Sequence, residues 1–112
     1  MSLEHGLAMP QVLTSTDVVL RILKTTICGT DIHILKGNVP SCQSHTRLGH
    51  EGIGEVIEKG ASVDNVNLGD RVLIHTTTQC GHCANCQRQF FGHCDDGGWQ
   101  LGWFNYCQDD LN

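Results

Sequence analysis

The chain has 112 residues, of which 7 are Lys or Arg and 12 are Asp or Glu, for a formal charge of −5. That length allows one domain, and the lack of any long apolar run excludes a helical membrane span. An acidic balance without a basic stripe or an RNA-type aromatic motif argues against nucleic acid as a partner.

Seven cysteines, and thirteen glycines against two prolines, set the character of the chain. Glycine at that frequency fits short strands joined by tight turns. The opening "MSLEHGLAMPQ" lacks the basic start and apolar core of a signal peptide. The expected compartment is a reducing cytoplasm.

The first predicted element is a strand at "DVVLRIL", Asp17 to Leu23, a β-branched apolar run. Next comes "CGTDIHILKG", where Thr30 or Asp31 is expected to cap a single helical turn running to Leu35 before Gly37 stops it. "GIGEVIEKG", Gly52 to Gly60, alternates Ile53, Glu55 and Ile57 with Gly54, Val56 and Glu58, so it reads as a strand with one wet side. Glu55, Glu58 and Lys59 are assigned to a wet face. "DRVLIH", Asp70 to His75, is a third strand entered from the turn "NLGD". The sum is a mostly β domain with one short helix and a metal-bound excursion.

That excursion is "CGHCANCQRQFFGHC", which brings Cys80, Cys83, Cys86 and Cys94 close together. A disulfide framework fits poorly. The cysteine total is odd, there is no signal peptide, and the four thiols crowd one segment instead of stapling distant loops. Cysteines three apart can share one metal ion, and a third and fourth complete the tetrahedral thiolate shell that zinc takes in closed structural sites. Gly81 and Gly92 relax the backbone beside Cys80 and Cys94. The expectation is a structural zinc lobe over residues 79–95. His82 and His93 could compete as ligands, but four thiolates already close the shell, so they read as solvated loop histidines.

In "LGHEGIGEVIEKGASV" an adjacent His50 and Glu51 are hemmed in by glycines. Together with Cys28 they offer sulfur, nitrogen and oxygen donors, a mixed set suited to a catalytic zinc that keeps one position open. Taken singly, each is as readily a packed or solvated side chain.

The spacing of Gly49, His50, Glu51, Gly54, Gly60 and Val63 resembles the zinc-containing alcohol dehydrogenase signature of the medium-chain dehydrogenase/reductase superfamily. "TTICGTDIHILKG" is similar to that family's catalytic-cysteine segment, and the four-cysteine lobe is similar to its structural-zinc loop. The resemblance runs over about residues 10–101 and leaves the tail after Leu101 unmatched. It implies a GroES-like partial β-barrel with a short helix and the zinc lobe. It also implies that Cys28, His50 and Glu51 hold or adjoin a catalytic zinc.

By the same resemblance Asp31 orients the histidine ligand, Thr30 takes the substrate alcohol's proton, and His33 relays it to solvent. Capping of the short helix by Thr30 or Asp31, with His33 simply on its surface, is compatible with those roles. The family reaction is oxidation of an alcohol to an aldehyde or ketone, with NAD or NADP accepting hydride.

The departures count as well. Gly97, Gly98 and Gly102 do not form a GxGxxG turn, so no Rossmann domain is expected in residues 1–112, and a further family metal ligand is missing. The chain therefore reads as a truncated catalytic domain without hydride transfer of its own; the alternative is a non-catalytic zinc-binding module for assembly or partner binding. Only sixteen residues precede the first strand where the family opens with a hairpin, so exposed barrel edges are expected to pair in a homo-oligomer. A separate chain could supply the cofactor domain. His5, His45, His75, Cys42 and Cys107 match no motif, and Asp109 or Asp110 has no argued role.

Overall fold

The computed structural model describes residues 9–40, 42 and 48–98. His5, His45, Cys107, Asp109, Asp110 and the rest of the segment from Trp99 lie outside those residues.

The β-branched run predicted as the first strand forms β1, Val18–Thr25. The Gly-rich segment forms β2, Gly52–Lys59, and the run after "NLGD" forms β3, Arg71–Ile74. They make one antiparallel sheet in the order β1-β2-β3. β1 and β2 pair from Val18↔Lys59 to Thr25↔Gly52, with irregularities between Val19 and Leu20 and between Ile22 and Lys24. Residues 9–16 before β1 carry no strand.

Alternation along β2 works as the sequence implies. Gly54 and Val56 are buried, Val56 almost completely, whereas Ile53 and Ile57 are exposed. A small residue at Gly54 is required because a Cβ there would lie 2.9 Å from Leu20 Cβ. Past the end of β2 the chain doubles back on the segment that enters β1, with Gly60 N–H donating to the Asp17 carbonyl at 2.8 Å and Ser62 N–H to that of Ser15 at 2.8 Å. At Gly60 a Cβ would run into the Ser15 carbonyl.

Lys59 departs from its expected place on a wet face. Its Nζ donates to the Val63 carbonyl at 3.0 Å and the Val66 carbonyl at 2.9 Å, so it holds the loop between β2 and β3. A long stem lies along the surface while the ammonium head reaches these carbonyls.

The described residues divide into two compact units, one holding the sheet and the other holding those of Ile27–Glu51 together with residues 75–98. In the second unit the predicted helical turn is α1, Gly29–Leu35. Its N-cap is Cys28 and not Thr30 or Asp31. Asp31 stands at the third helical position, where its Oδ2 accepts the Cys28 N–H at 2.9 Å. This is the reciprocal half of a capping box, which reaches back to the cap residue. Gly37, with φ +77°, follows the helix as expected.

Two elements in the lobe went unanticipated: α2, Ala84–Gln87, and the 3-10 turn η1, Phe91–His93. Thr78 and Gly98 close the base of the lobe by exchanging backbone bonds of 3.2 and 2.8 Å. Gly98, at φ +74°, packs so closely on Gly92 that a Cβ would sit 2.6 Å from its carbonyl oxygen. Among the described residues, no helix is long and apolar enough to cross a membrane.

Candidate metal centres

Folding brings Cys28, His50 and Glu51 together. One ligand atom from each lies within 4.8 Å of the others. Cys28 sits at the mouth of α1, and His50 and Glu51 occupy the loop that leads into β2. His50 is 5% exposed, so its imidazole is withdrawn from water and needs partners on both nitrogens.

A carboxylate stands near each of them. Nδ1 lies 3.4 Å from Asp31 Oδ1, and Nε2 lies 3.9 Å from Glu51 Oε1. Asp31 is itself buried, and its Oδ1 has no hydrogen-bond partner. A proton on His50 Nδ1 satisfies that oxygen, which leaves the Nε2 lone pair on the side of Glu51. A buried carboxylate aimed at the far nitrogen of a histidine is how proteins orient a metal-ligating imidazole. The donors therefore fit a zinc ion.

Thr30 is half-buried, and its hydroxyl lies 3.7 Å from Cys28 Sγ. His33 is different: it is exposed on α1, its Nδ1 faces the Asn38 side-chain amide at 3.2 Å, and it is not part of the three-donor set.

Cys80, Cys83, Cys86 and Cys94 form the second set, their sulfurs all within 4.8 Å of one another. Cys86 and Cys94 are buried, while Cys80 and Cys83 are partly exposed. All four are free thiols. Backbone N–H groups already point at the sulfurs: Cys80 N–H to Cys94 Sγ at 3.3 Å, Cys83 N–H to Cys80 Sγ at 3.3 Å and Cys86 N–H to Cys83 Sγ at 3.4 Å. Such donors stabilise thiolates, the form that binds metal. The Asp95 and Cys86 backbone amides hold the Cys83 thiol down at about 7. Desolvation pushes Cys86 up to about 12. Burial disfavours the thiolate there, and a bound dication would offset that cost.

A third grouping escaped the sequence reading. A ligand atom from each of Cys80, His82 and Asp96 also lies within 4.8 Å of the others. His82 is exposed as expected, but it does not stand alone. The visible signal is a His two residues from a Cys, followed downstream by a pair of aspartates.

The family profile described as "Alcohol dehydrogenase GroES-like domain" matches residues 14–108, which takes in part of the tail beyond Leu101. An uncharacterised zinc-type alcohol dehydrogenase-like protein of Bacillus subtilis is 36% identical over 100 residues, 87% of this chain and 26% of that protein. A glutathione-independent formaldehyde dehydrogenase of Pseudomonas aeruginosa is 36% identical over 104 residues, 80% of this chain and 26% of its own. Among solved structures, the apo form of zinc dependent alcohol dehydrogenase 2 from Streptococcus pneumonia is similar at a TM-score of 0.78 and 52% identity, covering 84% of this chain and 27% of that one. The chain spans about a quarter of the length of these relatives. With the sheet, the four-thiol lobe and the profile in agreement, the chain belongs to the alcohol dehydrogenase GroES-like domain family.

Proposed function

We propose that this chain is the zinc-holding portion of a zinc-dependent alcohol dehydrogenase, whose reaction oxidises an alcohol to an aldehyde or ketone with NAD or NADP. The observation that carries this reading is the convergence of Cys28, His50 and Glu51, with Asp31 placed behind the histidine. Zinc bound to that trio supplies Lewis acidity that lowers the pKa of an alcohol.

The chain's own residues do the rest. Asp31 fixes the His50 tautomer and keeps its Nε2 lone pair available. Thr30, beside Cys28, accepts the proton that leaves the substrate hydroxyl, and His33, exposed to water on the same helix, passes it to solvent. Cys80, Cys83, Cys86 and Cys94 hold a closed structural zinc that ties the lobe together. No GxGxxG turn occurs in these 112 residues, and we assign them no hydride transfer by themselves. We also propose that two or more copies associate through the edges of the sheet.

Native mass spectrometry of the chain with zinc retained tests these readings together, because one spectrum reports metal count and assembly. The expected result is zinc at both donor sets, loss of one ion in Cys28→Ser, loss of the other in Cys83→Ser, and an oligomer. Zinc confined to the four-thiol set would replace the dehydrogenase reading with that of a non-catalytic zinc-binding module. NAD(P)-dependent alcohol oxidation by the purified chain would overturn the assignment of no hydride transfer.

A further inference from the structure

The four-thiol cluster has a problem of access. Cys86 and Cys94 are only 4% and 7% exposed, so an ion arriving from water meets the partly exposed Cys80 and Cys83 first. Cys80 is partly exposed, and it alone belongs to both the four-thiol set and the Cys80, His82, Asp96 set.

We propose that Cys80, His82 and Asp96 form a landing site that captures a thiophilic divalent cation, zinc above all, and hands it to the four thiols. The inference rests on the reading of the four-thiol cluster as a zinc site. His82 Nε2 and Asp96 Oδ2 stand 4.0 Å apart, with side chains 77% and 66% exposed. At that exposure the pair adds little to stability as an ion pair, and both groups remain open to water. Their neighbours are otherwise engaged. The Asp95 carboxylate accepts from the Asn85 side-chain amide at 3.2 Å, which leaves Asp96 as the carboxylate beside His82. The His82 carbonyl accepts from Gln87 Nε2 at 3.1 Å, which ties its backbone to α2.

The chemistry of the three donors suits a temporary stop. One sulfur, one nitrogen and one oxygen bind zinc less tightly than four thiolates do, and the remaining position stays with water. On transfer the ion keeps its bond to Cys80 Sγ. The imidazole, the carboxylate and the water leave, while Cys83, Cys86 and Cys94 bind. Each thiol that still carries a proton releases it to solvent when it binds, so the divalent ion and its four thiolates together carry a charge of −2. No oxidant or reductant takes part.

The test is stopped-flow loading of the reduced, metal-free chain with cobalt(II), whose sulfur-to-metal charge-transfer absorption grows with the number of thiolates bound; Cys28→Ser is the background throughout, so that the Cys28, His50, Glu51 set adds no signal. That background is expected to show an early weak species before the strong four-thiolate band. His82→Ala, Asp96→Asn and the double variant are expected to lose the early species and slow the thiolate band by about tenfold, the lower end of what local charge does to association rates. Final zinc content by mass spectrometry should be unchanged, which also shows that the variants fold. Unaltered rates with normal zinc content overturn the landing site and leave the four-thiol reading standing. A reduced final zinc content makes His82 and Asp96 permanent ligands and also overturns it. A chain that loads no metal at Cys80 to Cys94 overturns both readings.

Discussion

The carboxylate of Asp31 serves two residues at once: its Oδ2 accepts the Cys28 N–H at 2.9 Å, and its Oδ1 lies 3.4 Å from Nδ1 of His50. One buried side chain thereby sets the start of α1 and the orientation of the imidazole. The reciprocal capping-box bond to Cys28 and the contact with the imidazole come from one carboxylate, so a place at the start of the helix leaves Asp31 free to face His50.

Asp31→Asn is expected to weaken metal binding at Cys28, His50 and Glu51 by about 10- to 100-fold, the usual cost of losing a group that orients a ligand. The amide can donate to Nδ1, which puts the histidine proton on Nε2 and removes the lone pair from the metal side. Competition with a chromophoric chelator measures the change. Binding within a factor of about two of wild type would show that Asp31 does not set the tautomer. Zinc at the four-thiol lobe should be unaffected.

Gly60→Ala should destabilise the sheet unit by about 1–3 kcal/mol, the range for inserting a group where none fits. The added Cβ meets the Ser15 carbonyl, which is backbone, and the adjacent Gly60 and Ser62 N–H bonds hold that backbone in place. Urea unfolding of the two chains gives the difference, and an equal midpoint would refute it.

Acid should remove a contribution from Asp17. Burial opposes its ionisation, but the Thr14 and Leu13 backbone N–H groups, donating at 2.8 and 3.0 Å, and the Thr14 hydroxyl outweigh it, so its pKa is lowered on folding. A lowered folded pKa means that the stabilisation is present above the unfolded carboxylate value of about 3.9 and is lost as pH falls through the folded value. Asp17→Asn should therefore be less stable than wild type near neutrality, and the gap should close in acid. A gap that widens in acid would contradict the assignment.

In the reduced, metal-free chain Cys83 should be alkylated before Cys86. The first thiol is held at about 7 and the second pushed up to about 12, so only Cys83 carries much thiolate at neutral pH. Timed iodoacetamide labelling with peptide mapping reads the order, and zinc should protect both.

Two kinds of information meet in this protein. The three strands were legible because hydrophobic alternation in the Gly52 to Gly60 segment and β-branched runs at β1 and β3 are local patterns that a sheet must satisfy. The lobe was legible for a related reason. Cysteines three apart lie within reach of one ion whatever the rest of the chain does, and the four sulfurs do converge. The cap of α1 was misplaced because cysteine is a poor cap by type, and the capping box it forms depends on Asp31 three residues on.

Other relationships depended on tertiary structure. Cys28 and His50 are far apart in sequence, and nothing local requires their side chains to meet. Lys59 looks like any solvated strand residue until the loop carbonyls of Val63 and Val66 fold over it. His82 and Asp96 become neighbours only because α2, η1 and the Thr78 to Gly98 closure bring the two ends of the lobe together. By itself the sequence determined the strands and which four thiols would gather, since both follow from spacing along the chain. Which carboxylate faces which imidazole was decided by tertiary structure, because that requires close approach between segments whose separation no local pattern records.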